Sequence, residues 1–398
     1  MTARVSNLGV FLLILILGFS NFTTAQPPIR ESVNTQAFCI ANPNLHSLYH
    51  DRSNVGLSVH NWGAIGNGSP SATASEWPPS LRFPIDSDIE YLSRMGVWIG
   101  ALIQEEGYEY PRVSTGEDGW FGTNELYPGE SINNVIQQNS NIPGETGYCG
   151  VEMYSSSANS PQEFTAIYAD TLKEAFWVTN DPIDGPHVPL GVKVIQKSMV
   201  WDAFGFDDIV IFQFTIENIG DRILKNPYLG MLVDGEVGND QEFDNRWQDD
   251  IVGFLSDVNG ENWNIAYWAD NDGRYHEVGS GSDLVAPGVV GIFTPQSELG
   301  DATLSANWWI SGGYPDPDFG PSWQSHVESP GGEWTAFYGT PVGDMHKYWV
   351  MSNREIDYDQ LRVNDPGWIA NHPQQFFDES GNLTEEQPWH IPDIANSF

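Results

Sequence analysis

The clearest pattern in the chain is strict alternation over residues 208–218. Val210, Phe212, Phe214 and Ile216 fall on one side of an extended backbone, and Ile209, Ile211, Gln213 and Thr215 on the other. A period of two filled with β-branched and aromatic residues predicts a strand, with the Val210 side facing the core. Asn218-Ile219-Gly220-Asp221-Arg222 has turn chemistry, and Tyr228–Val233 reads as an apolar strand returning beside the first. The two together predict a hairpin of the immunoglobulin-like kind. Met95–Ile103 is a further apolar run, broken by Gly96 and Gly100, where glycine implies a bulge or a close backbone approach. Phe164–Ala169, Gly191–Trp201, Ile251–Leu255, Trp263–Trp268, Val289–Phe293, Leu304–Ile310 and Trp334–Tyr338 continue the series of short strands. Helical patterning is confined to small pieces, for example around Asp357–Leu361.

These elements predict an all-β fold. Forty Gly and 26 Pro, spread without a period, supply the many turns such a fold needs. Residues 26–398 exceed the roughly 250–300 residues of a single core. The Pro-rich stretch from Asp181 to Pro189 is the best boundary signal. Two β-sandwich-like units are therefore expected, at 26–185 and 186–398, the second carrying the immunoglobulin-like hairpin.

The first 25 residues have a different character. Arg4 is their only charge, Leu8–Phe19 is apolar, and small residues end at Thr23-Thr24-Ala25. A basic start, a short apolar core and a small-residue site predict a secretory signal peptide over 1–25. The apolar core is shorter than the roughly 20 residues that span a bilayer, so no transmembrane segment is expected in the mature chain. The expected location is the periplasm, the cell surface or the extracellular space. Export would permit a disulfide, and Cys39 and Cys149 are the only cysteines. A bridge between them and two separate thiols are equally compatible with the sequence.

Charge narrows the partners. With 54 acidic and 16 basic side chains the net charge is −38, which disfavours nucleic acid and anionic membranes. The densest acidic stretch holds Asp234, Glu236, Asp240, Glu242, Asp244, Asp249 and Asp250 against a lone Arg246. Calcium takes six to eight oxygen ligands in irregular loops, which makes Asp234, Asp240, Asp249 and Asp250 candidate ligands, although the spacing is not that of an EF-hand. Sixteen Trp invite a second chemistry, because sugar rings stack on flat aromatic faces. Trp308 and Trp309, adjacent in an expected strand, would place one ring on each face and are the candidate carbohydrate contacts. Phosphate-binding glycine loops, Gly-x-Ser-x-Gly and His-Glu-x-x-His are absent from the sequence. No catalytic residue is assigned.

Several segments carry a family likeness. They are Tyr91-Leu92 with Gly96–Ala101, Val113–Gly116 with Trp120, Pro189–Ser198, Asp208–Gly220, Tyr228–Gly235, Asn307–Ser311 and Met351–Asn353. In these the chain resembles a family of exported β-rich proteins of the Bacteroidetes–Chlorobi group, to which no activity is assigned. Members often end in a type IX secretion sorting domain. No such tail is expected in a chain that stops at Ser397-Phe398, which implies either a fragment or another export route. The reading that follows is an exported, non-enzymatic structural or interaction protein whose partner is an extracellular protein or a polysaccharide. The alternative is a carbohydrate-binding or carbohydrate-active protein using exposed Trp and paired carboxylates.

Overall fold

A computed structural model describes residues 7–19, 47–67, 78–105, 107–118, 124–128, 136–147, 152–173, 178, 184–239, 250–258, 261–270, 274–276, 283–286, 288–294, 303–309, 328–329, 332–333, 340–341 and 343–357. In chain order its strands are β1 (Asn7–Phe19), β2 (Ser47–His50), β3 (Gly56–His60), β4 (Ala64–Gly66), β5 (Leu81–Arg82), β6 (Ile89–Leu92) and β7 (Arg94–Glu105). Then come β8 (Tyr108–Thr115), β9 (Gln137–Asn139), β10 (Gln162–Asp170), β11 (Val192–Val200), β12 (Ile209–Asn218), β13 (Lys225–Asp234) and β14 (Gly238–Asn239). The last are β15 (Asp250–Val258), β16 (Glu261–Asp270), β17 (Arg274–His276), β18 (Asp283–Val285), β19 (Gly288–Phe293), β20 (Glu328–Ser329) and β21 (Gly332–Glu333), followed by helix α1 (Gly343–Ser352).

The alternation in β12 does what its pattern demands. Val210, Phe212 and Phe214 are fully buried and Ile216 nearly so, while the intervening residues are half-buried. The stacked Phe212 and Phe214 rings lie 6.0 Å apart. β12 belongs to an eight-stranded sheet ordered β15-β16-β19-β1-β12-β11-β10-β9. A second sheet runs β13-β7-β4-β3-β5-β6-β14, with β2 on β3 and β8 on β7. The inner faces of the two sheets share one apolar core, in which Val210, Phe212 and Phe214 meet Leu57, Met95, Val97 and Ile99. The fold is all-β and sandwich-like.

His50, buried between the sheets, has a partner for each ring nitrogen. The His50 ring stacks on Phe164 at 4.2 Å, its Nδ1 donates to Gln162 Oε1 (3.1 Å), and its Nε2 accepts from Ser198 Oγ (2.7 Å). Burial pushes its pKa down to about 3, against the smaller effect of the Gln162 hydrogen bond, so the ring is neutral.

Two expectations are corrected here. First, 208–218 and 228–233 do not form a hairpin. β12 pairs with β1 and β11, whereas β13 pairs with β7 in the other sheet. Ile219 N and Gly220 N both donate to Gly191 O at 2.9 Å, which ties the chain to the start of β11 and sends it across to the second sheet. Alternation specifies a strand, not its neighbour. Second, the 181–189 stretch does not separate two sandwiches. β9 and β10 lie in one sheet with β11, β12, β15, β16 and β19, and β13 and β14 complete the sheet of β2–β8. The described part of the junction is anchored rather than free, since Leu190 N donates to the buried Asp170 Oδ2 at 2.7 Å.

The outer face of the second sheet carries α1. The glycines of β7 mark close approaches, as expected. A Cβ on Gly96 would lie 2.3 Å from Glu117 O, and one on Gly100 would lie 3.1 Å from the Tyr348 ring and 3.3 Å from Met351 Sδ. Gly230 in β13 faces Met351 in the same way. Trp98, Val113, Leu232, Trp349 and Val350 form a small second core there. The strand expected over 304–310 is not formed in its described part, 304–309, where one parallel bridge joins Ala306 to Ile356. The strand expected at 334–338 lies outside the described residues, as does most of the helical patterning at 357–361.

Candidate functional site

The proposed calcium ligands separate into two kinds. Asp240 and Asp249 lie outside the described residues. Asp234, at the end of β13, accepts from Arg94 Nε at 3.0 Å, and Asp250, opening β15, accepts from Val237 N at 2.9 Å. Among the described residues, no group of three or more His, Cys, Asp or Glu side chains is placed to hold a metal ion. Cys39 and Cys149 also lie outside the described residues.

Trp308 and Trp309 sit in an irregular segment beside α1. Trp308 is buried and its N donates to Asp357 Oδ2 at 2.9 Å. Trp309 is half-buried and lies nearly parallel to Trp98, with ring centroids 6.4 Å apart. Asn307 Nδ2 donates to Val350 O at 2.9 Å, which fastens the segment to the helix.

A buried charge network, unforeseen in the sequence, lies where β8, β10 and the 184–190 segment meet α1. His187 is clamped between Asp170 (Nε2 to Oδ1, 2.7 Å) and Glu125 (Nδ1 to Oε1, 3.0 Å), with all three side chains 4 % exposed or less. Asp170 also accepts from Ser114 Oγ and Leu190 N, and Glu125 Oε2 from Thr115 N at 2.9 Å. Burial disfavours the imidazolium, but the hydrogen bonds and charges of Asp170 and Glu125 outweigh it and raise the His187 pKa to about 10. Nearby, Lys347 Nζ meets Asp118 Oδ2 at 3.1 Å, both almost fully buried. Asp344, in the first turn of α1, accepts from Val113 N (3.1 Å) and Arg112 (3.4 Å). Its pKa is raised to about 7 by burial first and then by the Glu125 and Asp184 charges, which together outweigh Arg112 and Lys347. These groups pin the helix and the 184–190 segment to the sheet. Their signal in the sequence is slight, because they are scattered over residues 112–347.

The β11–β12 connection, residues 201–208, has the opposite character. Phe204 is 100 % exposed and Phe206 57 %. The turn that displays them is braced. Phe206 N donates to Ala203 O (2.8 Å), Gly205 N to Asp207 Oδ1 (3.0 Å), and Asn54 bonds to Asp207 O (2.9 Å) and Asp208 Oδ1 (2.8 Å). Gly205 takes φ of +86°, open to glycine at no steric cost. Asp202, Asp207 and Asp208 surround the two rings in sequence. The sequence does contain this signal, an aromatic pair around a glycine in a turn that polar residues would ordinarily fill. A small apolar cleft of about 20 Å³, room for one water, lies elsewhere, among Ile99, Ala101, Ile216, Leu224 and Leu229.

Comparison with models of known protein families, with characterised proteins and with solved structures finds no match to this chain.

Proposed function

We propose that this is an exported, non-enzymatic interaction protein of the cell surface or extracellular space, and that it grips its partner through the hairpin tip at residues 201–208. The observation that carries the reading is the braced display of Phe204 and Phe206. A fully exposed ring on a held turn loses apolar hydration on docking and little conformational freedom, which is the make-up of a binding anchor. The carboxylates of Asp202, Asp207 and Asp208 favour a partner whose apolar pocket has a basic rim. A protein surface fits that description better than a neutral polysaccharide. The export part of the reading rests on the first 25 residues.

The test is saturable binding of the purified exported protein to the surface of the cells that produce it. Phe204→Ser should weaken binding by about 30-fold or more, the range for loss of an aromatic anchor. Its unfolding midpoint should match the parent's, because nothing packs on the ring. Binding that is equal in parent and variant overturns the assignment of the tip. Binding to purified glycans that is lost in Phe204→Ser would move the reading to the carbohydrate class.

A further inference from the structure

β1 is the central strand of the eight-stranded sheet, and it is the segment that sequence reading marks for removal on export. It runs antiparallel to both neighbours. Residues 7–16 pair with β12 from Glu217 to Ile209, and 14–19 pair with β19 from Phe293 to Gly288. The rest of the sheet consists of two groups, β9–β12 on one side and β15, β16 and β19 on the other, joined within the sheet only through β1. Cleavage near Gln26 would leave β12 and β19 parallel to each other, about 10 Å apart at ordinary strand spacing, each with an open edge. The inner face beside the gap carries Val210, Phe212, Phe214 and Val290, all completely buried in the filled sheet.

We propose that the gap between β12 and β19 is a strand-acceptor site that, in the exported protein, takes an apolar β-strand from another polypeptide. The segment now paired there defines the ligand. It is uncharged, free of proline, and apolar throughout Leu8–Phe19. Proline would lose a ladder hydrogen bond, and a charge would be buried at the centre of the sheet. Within residues 26–398, outside the strands already placed, the longest wholly apolar run is Ala37–Ala41, too short for the span that β1 covers. A second copy cleaved near Gln26 lacks residues 7–19 as well, so the donor proposed here is a different polypeptide. Strand addition of this kind draws affinity from main-chain hydrogen bonds and specificity from side-chain alternation.

The inference rests on cleavage of the export segment, and the test separates the two. Protein is purified after export and its intact mass measured. The probe is a synthetic peptide of residues 7–19 with flanking lysines for solubility. The expected result is a mass beginning near Gln26, saturable one-to-one binding, and a melting temperature raised by about 3 °C or more at a hundredfold excess over the dissociation constant. A peptide with benzoylphenylalanine in place of Ile14 should cross-link around Ile211 and Phe293, the residues paired with Ile14. A Leu13→Pro peptide should not bind. A mass that begins at Met1 means that the gap is filled within the chain and overturns the proposal through its premise. A cleaved protein that neither binds the peptide nor gains stability has closed its own sheet and overturns the acceptor site itself.

Discussion

His187→Gln tests the buried network most directly. The substitution removes a cation that sits between two carboxylates and leaves Asp170, fully buried, and Glu125, 3 % exposed, facing each other. Two estimates of the cost agree. Removing one partner of a buried ion pair destabilises by about 3–5 kcal/mol. Raising an imidazole from its ordinary 6.5 to about 10 corresponds to a similar sum, at about 1.4 kcal/mol per pKa unit. The sign of the pH dependence is fixed. The folded-state pKa lies above the unfolded one, so the stabilisation is complete below about 6.5 and is lost as pH rises toward 10. Asp344 acts in the same direction in a lower window. Its raised pKa means that stability falls as pH rises from about 4 to about 7. The informative quantity is therefore the difference between parent and variant between pH 7 and 10. Urea unfolding at half-unit intervals measures it. A gap of several kcal/mol at pH 7 that shrinks steadily toward pH 10 is expected. A gap that stays constant across that range, or lies below about 1 kcal/mol at pH 7, refutes a charged His187.

Other outcomes follow from the same structure. Phe212→Ala should cost about 3–5 kcal/mol in denaturant unfolding, since the ring is completely buried against Phe214, whereas the exposed Asp221→Ala should stay within about 0.5 kcal/mol. Lys347→Met should destabilise by about 3–5 kcal/mol by removing the cation that faces the buried Asp118 carboxylate, and the added Asp118→Leu should recover part of that loss, which a thermal melt of the three proteins would show. His50, held neutral with a folded pKa of about 3, withdraws stability as pH falls from about 6.5, so His50→Gln should flatten the acid limb of the stability curve between pH 6.5 and 4. Gly100→Val should loosen α1, detected as faster amide exchange over 343–352, because a branched side chain would press on Tyr348 and Met351.

How much of this could be read from the sequence depends on the range of the signal. Alternation located β12, which buries one face, and short apolar runs located β7, β10, β11, β15, β16 and β19 within a few residues, β7 being buried on both faces. Alternation also gave Phe212 and Phe214 as core. It could not say that β12 faces β1 and β11 rather than β13, since partner choice is settled by contacts far apart in the chain. Gly191 illustrates the point. Its carbonyl receives Ile219 N and Gly220 N, and that contact turns an expected hairpin into a crossing between sheets. Proline density misled in a related way. The 181–189 stretch has the composition of a linker, yet His187 and Leu190 are fixed by Asp170. Helix α1 was missed because it is short and its anchoring residues, Asp344 and Lys347, are polar.

The scarcity of bases gives the network its sense. In a chain with 54 acids and 16 bases, several of the described cations bridge separate elements, beside exposed pairs such as Lys225–Glu109. Arg94 joins β7 to Asp234 at the end of β13 and to Glu117, and Arg112 joins β8 to the start of α1. Arg52 ties the chain after β2 to Glu145, Lys197 crosses from β11 to Glu163 on β10, and Lys347 reaches from α1 to Asp118. These are seams between elements, where neutralising a carboxylate fixes geometry as well as charge. Half-exposed pairs such as Arg52–Glu145 contribute little singly, about 0–1 kcal/mol. The sealed ones at Lys347 and His187 differ, because removing the cation leaves a carboxylate with no route to water. Salt should therefore relieve the general repulsion of the acidic surface while leaving these sealed contacts nearly untouched. Under the proposed reading, the exposed tip would meet a basic-rimmed partner without drawing on the few cations that hold the protein's own layers together.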